Sequence, residues 1–324
     1  MPPKLQLPVH FSSHALGMLQ RVQQGLSRVE LVYTSHDRWP CLPTQSPGSI
    51  PSLPGPLRIS VLDASFNPPT LAHLALANAK PPHPSIPSVV HVHANNDYDA
   101  RLLLLSVSNP DKTLKPGDAT HFQRLEMMYF LSEAMSTTTL NGSGSAQIAP
   151  PNIAIAIVDE PLFIGKSTTL LTFLRNRLST MYTNPAADTS SPCQLTFLLG
   201  MDTLVRLISL RYYPSEDAMN RTLRNFFSPD GEDCRVVCAR RISQGIAAQA
   251  QEDIDKQTLA AVHEFVEASR ISTIDLESDV QEFSSSEVRA KVKASDDTWA
   301  KLVAPAVADY IVERKLYQDI SEKR

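Results

Sequence analysis

Short runs of uninterrupted apolar residues alternate along this chain with stretches of helical period, and that alternation restricts its fold most. ISVLDASF at 59–66, SVVHVHA at 88–94, LLLLSV at 102–107, IAIAIV at 153–158, LTFLL at 195–199 and RVVCA at 235–239 read as strands. A strand that is apolar at nearly every position has no solvated face, so both of its faces must be covered. LAHLALANA at 71–79 and the segments 121–135, 167–182 and 256–269 carry apolar residues at helical spacing. Strands that alternate with helices predict an α/β fold, a doubly wound parallel sheet with helices on both sides.

The beginning of the chain reads differently. Residues 14–33 pass from helical spacing to a strand-like VELVY, and TQSPGSIPSLPGP at 44–56 follows, with Pro, Ser and Gly in the proportions of a loop. This predicts an N-terminal extension with a Pro-rich linker over 1–56 and a main domain over 57–324. TTTLNGSGSAQIAPP at 138–151 and TNPAADTSSPC at 183–193 read as surface loops.

The 324 residues carry 30 Lys+Arg against 34 Asp+Glu, a formal charge of −4, and contain no long basic run. That balance argues against nucleic acid or an anionic membrane as the main partner. No apolar stretch reaches the ~20 residues a bilayer span requires, and MPPKLQLPVHF lacks the charged-then-apolar pattern of a signal peptide. Four cysteines are too few to staple a chain of this length, which predicts a reducing compartment, cytoplasmic or nuclear. Cys234 and Cys238 lie close together, but no second Cys/His pair accompanies them, so thiols are expected rather than zinc.

The chemistry concentrates at the exit of the first core strand, DASFNPPTLAH at 63–73. In open parallel sheets ligands bind beyond the carboxyl ends of strands. A helix that starts there offers N–H groups and partial positive charge to phosphate. Thr70 and His73, three residues apart, share a face of that helix. A second candidate is FSSSEVRAKV at 283–292, where Ser284 and Ser285 suit a helix N-cap and Val288 and Val292 make its buried face. Arg289, one turn in, has the planar fork that pairs with phosphate oxygens.

These stretches resemble the two signatures of the nucleotidylyltransferases. SFNPPTLAH is similar to their (His/Thr)-x-x-His motif, in the SFNP-x-T form of the nicotinamide mononucleotide adenylyltransferases, and FSSSEVRAKV is similar to their Ile-Ser-Ser-Thr-x-Ile-Arg motif. LLGMDTLVRL at 198–207, RVVCAR at 235–240 and LVAPAVADYIVERKLY at 302–317 resemble further family segments in the same order. The resemblance runs from about residue 57 to 317 and implies a Rossmann-like sheet of nucleotidylyltransferase type. It also implies transfer of the AMP moiety of ATP to nicotinamide mononucleotide, giving NAD and pyrophosphate, with Mg²⁺ arriving on ATP.

Residue by residue, the resemblance implies His73 and Arg289 as catalytic. It implies Ser65, Phe66, Thr70, His73, Lys112 or Lys115, Arg240, Ser284, Ser285 and Arg289 as ATP-binding, with Ser65 and Phe66 acting through backbone amides. Gly200, Asp202, Phe163 and Tyr213 are implied on the acceptor side, and no protein metal ligand is expected. Ala64 stands where the family has Gly, Ser286 replaces Thr, and Glu287 replaces a residue that is often basic. Where the family often has a tryptophan to stack on the nicotinamide ring, VDEPLFIGK at 158–166 has Pro161, with Phe163 the nearest aromatic and Tyr213 a second. Two other readings stay open: a different acceptor, such as a pantetheine phosphate or nicotinate nucleotide, or an ATP-binding or ATP-hydrolysing module acting through protein partners of the extension.

GKST at 165–168 invites a P-loop reading, but that motif needs glycine where Glu160 stands. His91 and His93 share one side of a strand with no carboxylate nearby and read as structural. Asp296-Asp297 reads as a solvated turn and SEKR as a frayed end.

Overall fold

The computed structural model describes residues 6–41, 55–82, 97–108, 114–135, 137–140, 146–149, 152–181, 193–240, 246–276, 280 and 283–318. In chain order the elements are α1 (Phe11–Gln23), β1 (Val29–Thr34), β2 (Leu57–Asp63), α2 (Leu71–Ala77), β3 (Ala100–Ser106) and α3 (His121–Ala134). Then come the strands β4 (Thr137–Leu140) and β5 (Ala146–Ala149), β6 (Ile153–Val158), α4 (Phe163–Met181), β7 (Cys193–Gly200), α5 (Met201–Leu207) and α6 (Glu216–Phe227). The rest are β8 (Arg235–Arg240), α7 (Ile246–Ala261), α8 (His263–Glu267), β9 (Ile271–Asp275), α9 (Ser285–Lys293) and α10 (Pro305–Glu313).

The main sheet has the order β1-β6-β3-β2-β7-β8-β9, with β1 antiparallel to β6 and every other pair parallel. Its α/β, Rossmann-like architecture follows from how the strands divide their side chains. In β3, Leu103 and Leu105 enter one core layer, and Leu102 and Leu104 the other. In β6, Ile153, Ile155 and Ile157 face the first layer, and Ala154, Ala156 and Val158 the second. A period of two with both faces buried produces the uninterrupted apolar runs. The first layer is closed by α1, α3 and α10, the second by α4, α5 and α6.

The N-terminal segment is built into this architecture. Phe11, Ala15, Leu19 and Val22 recur on one face of α1 and are buried, with the Phe11 ring 4.9 Å from that of Tyr129. Burying side chains such as Phe11, Leu19 and Val22 contributes roughly 1.5–3 kcal/mol each. β1 then adds an antiparallel edge strand, and Trp39 is fully buried in the second layer, its carbonyl accepting from Arg177 Nε at 2.7 Å.

The reading of 138–151 as a loop is corrected: part of it forms the antiparallel β4–β5 pair. The helix expected at 256–269 is two helices, broken at Val262. β9, an edge strand with one buried residue, and α6 escaped the sequence reading. The strand expected at 88–94 (with His91 and His93), most of the Pro-rich linker, the 183–192 loop and SEKR lie outside the described residues. Cys41, Cys193, Cys234 and Cys238 are buried and form no disulfide with one another, and no group of metal-ligating side chains occurs among the described residues. No described helix is long and apolar enough to cross a membrane.

Candidate active site

Strand order reverses at β2: the chain builds β3 and β6 to one side and then crosses over to β7, β8 and β9 on the other. Beyond the carboxyl ends of such strands a doubly wound sheet leaves a crevice. Here it is a cavity of 1410 Å³, floored by Asp63, Ser106, Gly200 and Arg240 at the ends of β2, β3, β7 and β8. Pockets for a single small molecule run to roughly 300–1,000 Å³, so this one has room for a nucleotide pair.

His73 lines the cavity, and its orientation is set locally. Thr70 caps α2, and its backbone N–H donates to His73 Nδ1 at 3.1 Å, with Thr70 Oγ1 2.9 Å from the same nitrogen. A backbone N–H can only donate, so Nδ1 accepts, and the proton of the neutral ring sits on Nε2. That makes the ring a hydrogen-bond donor through Nε2. Thr70 itself is fully buried and does not line the cavity, and it touches the site through His73. Phe66 is likewise buried, its ring 5.5 Å from that of His73. Its φ of +46° is unusual for a residue with a Cβ and turns the chain sharply between Ser65, which lines the cavity, and Asn67.

The two signature stretches are stitched together here. Ser285 Oγ donates to the Pro68 carbonyl at 2.7 Å, and Arg289 Nη1 to the Asn67 carbonyl at 2.5 Å, across more than two hundred residues of chain. The Asn67 amide donates to Asp118 Oδ1 at 2.9 Å, and its oxygen accepts from the Ala119 N–H at 3.2 Å and from the Tyr317 hydroxyl at 3.0 Å. Burial works to raise the Asp118 pKa, but the Lys115 N–H, Asn67 and the Arg289 charge outweigh it and hold the carboxyl below its usual range.

Ser284, Ser285, Arg289, Lys115 and Arg240 all line the cavity, but most already have protein partners. Ser284 Oγ accepts the Glu287 N–H as the cap of α9, so both signature hydroxyls are used within the protein. What α9 can still offer an anion is its first-turn N–H groups. Arg289 is held by Asn67, by Ser286 Oγ at 3.3 Å and by Asp118 at 3.7 Å. A guanidinium has five N–H donors, so further ones remain for a ligand. Arg240 forms a two-pronged pair with Asp275 at 2.9 and 2.7 Å. Lys115 is exposed at the cavity rim, and Lys112 lies outside the described residues.

The residues expected to meet the acceptor also line the cavity. Gly200 caps α5, and a Cβ there would meet nothing within 4 Å. Asp202 lies in the first turn of α5. Tyr213 lines the cavity with its hydroxyl donating to the Leu207 carbonyl at 2.6 Å, and burial pushes its pKa up to about 12. The Phe163 ring packs 4.7 Å from Phe197 and 6.0 Å from Phe226. It is partly buried, lining the cavity while packing against the second core layer.

Four basic cavity residues were missed by the sequence reading: Lys166, Arg124, Arg206 and His121. Arg124 is buried, donating to the carbonyls of Ala119 at 2.9 Å and Ser65 at 3.3 Å, and so fixes the turn after β2. Lys166 pairs with Asp63 at 2.6 Å. It sits inside the GKST run, and a lysine one turn into a helix that follows a buried strand was the available signal.

No protein-family model matches the chain. In sequence it is 29% identical over 205 residues to a Schizosaccharomyces pombe protein provisionally named as a nicotinamide mononucleotide adenylyltransferase, a match covering 62% of this chain and 62% of that one. The chain thus matches about three fifths of the length of this curated relative. Among solved structures, the chain is similar to Plasmodium falciparum nicotinic acid mononucleotide adenylyltransferase complexed with APC, at a TM-score of 0.41 and 15% identity, covering 80% of this chain and 96% of that one. It is also similar to Thermotoga maritima TmcAL bound with alpha-thio ATP, at a TM-score of 0.30 and 12% identity, covering 80% and 55%.

Proposed function

We propose that the cavity is an adenylyltransferase site that joins the AMP moiety of ATP to nicotinamide mononucleotide, forming NAD and releasing pyrophosphate. The observation that carries this reading is the stitching of the Thr70–His73 and Ser284–Arg289 stretches at the switch point of the sheet. Two stretches far apart in sequence each resemble half of one catalytic signature, and here they meet on one wall.

The chemistry asks little of the protein beyond placement and charge. The acceptor's phosphate has a second pKa near 6 and is largely dianionic at pH 7. One of its oxygens attacks the α-phosphorus of ATP, the bond from that phosphorus to the β-phosphate bridging oxygen breaks, and pyrophosphate leaves with the electron pair. No proton has to be abstracted. His73, with its proton on Nε2, donates to the phosphate oxygens as charge moves to the leaving group. Arg289, held in register by Asn67, and the first-turn N–H groups of α9 hold the phosphates.

Mg²⁺ fits this site as the ATP complex rather than as a resident of the protein. The carboxylates nearest the signatures are engaged, Asp63 with Lys166 and Asp118 with Asn67 and Arg289, which leaves the nucleotide's phosphates and water as its ligands.

A different acceptor is the second reading, favoured by the Phe163 ring being held against Phe197. Incubating the protein with Mg-ATP and a panel of nicotinamide, nicotinate and pantetheine phosphates, with pyrophosphate and dinucleotide measured separately, tests both. Pyrophosphate matched mole for mole by NAD supports the nicotinamide acceptor. A product from another acceptor alone replaces it, and phosphate release without any dinucleotide overturns the transfer reaction.

A further inference from the structure

Six Lys/Arg and four Asp/Glu side chains line the cavity, a balance that suits an anionic ligand. One cation and one carboxylate among them are paired in the interior. Lys166 Nζ donates to Asp63 Oδ2 at 2.6 Å, with the two side chains only 10% and 9% exposed. Asp63 is the last residue of β2, directly before the Ala64–Ser65 turn, and Lys166 reaches it from α4, which follows β6. The first turn of α4 is set by Gly165. A Cβ there would lie 2.2 Å from Glu160 Cδ, so the glycine lets the Glu160 side chain pack against the helix start.

A carboxylate beside the turn that receives a polyphosphate is an oddity in a site built for anions. It repels the ligand, and it holds a lysine the ligand would attract. An ammonium carries three donors on a flexible stem, and its contact with Asp63 uses one of them. We propose that Lys166 is a phosphate-binding residue, and that Asp63 is a resident counter-anion which holds it in place and competes for it when a phosphorylated ligand enters. The inference rests on the reading of this cavity as a nucleotide site and adds to it the group that tunes its affinity. The phosphate Lys166 takes belongs to ATP or to the acceptor mononucleotide, and the two are separated by titrating each.

The two halves of the pair then have opposite signs, which a purely structural pair lacks. Asp63→Asn keeps shape and hydrogen bonding but removes the competing charge, so the ligand that meets Lys166 should bind about tenfold tighter. Lys166→Met should weaken that ligand about tenfold or more. The double variant Asp63→Asn/Lys166→Met removes both charges and leaves no buried ion unpaired, so it remains informative where Lys166→Met alone does not fold. It should bind more weakly than Asp63→Asn alone. Calorimetric titration of ATP and of nicotinamide mononucleotide separately into wild type and variants reads these signs without requiring turnover. Opposite shifts for either ligand support the proposal even in a protein that forms no dinucleotide. Parallel losses in both single variants, or equal affinities in Asp63→Asn and the double variant, overturn it even where NAD is formed. A wild-type protein that binds neither ligand overturns both this inference and the reading of the cavity.

Discussion

Arg289 donates to the backbone carbonyl of Asn67 at 2.5 Å, so the arginine of the C-terminal signature is positioned by the loop of the N-terminal one. The contact holds a flexible side chain in one orientation, which in the proposed reaction would leave it less ordering to do on meeting a phosphate. It also means that the two stretches stand or fall together.

If that orientation matters, Arg289→Lys should weaken ATP, because a lysine cannot hold the Asn67 carbonyl and a phosphate with the same fork. Arg289→Ala should weaken it by about 1.5–3 kcal/mol, roughly 10–150-fold. AMP lacks the β- and γ-phosphates and should be little affected. Titrating both nucleotides decides the matter, since an unchanged ATP-to-AMP ratio would place Arg289 away from the phosphates.

His73→Ala should lower turnover by about 10²–10³-fold, the usual loss for one donor at a transition state. Thermal stability should change little by comparison, because His73 is only partly buried on the cavity wall. Full activity in the variant would remove His73 from the mechanism.

The core strands could be read from sequence because burial on both faces leaves an unmistakable pattern, as in IAIAIV for β6. The edge elements could not. β9 buries one residue of five, and β4 and β5 are held by backbone pairing in a stretch rich in Ser, Thr and Gly. The site was legible where it has a linear motif, at Thr70–His73 and Ser284–Arg289. It was illegible where it is assembled across elements. The Lys166–Asp63 pair joins residues more than a hundred positions apart, and although Lys166 follows a buried strand, nothing local marks the two as partners. Phe66 and Thr70 sit in the right motif, but their side chains support the site from behind it.

The N-terminal segment is expected to be indispensable to folding, because α1 and β1 complete the sheet edge and one core layer. Phe11→Ala should cost about 3–5 kcal/mol in urea unfolding, and removing residues 1–44 should give insoluble or unfolded protein. A truncated protein with an unchanged unfolding midpoint would show the segment to be peripheral.

His121 predicts an acid sensitivity. Burial first, then the Arg124 charge, lowers its pKa from the ordinary value of 6.5. Between the folded and unfolded pKa values the unfolded chain binds more protons. Its contribution to stability is therefore fully present above 6.5 and lost as pH falls toward the lower folded value. His121→Gln should flatten the fall in melting temperature from pH 7 to 5, leaving the part due to His36, whose pKa burial also lowers. An identical slope in the variant would assign the effect elsewhere.

The most direct measurement follows pyrophosphate and dinucleotide together in one reaction of the full chain with Mg-ATP and nicotinamide mononucleotide. The account predicts the two products in equal amounts, both falling in step in His73→Ala. Inorganic phosphate without dinucleotide, or product formation that His73→Ala leaves untouched, would contradict it.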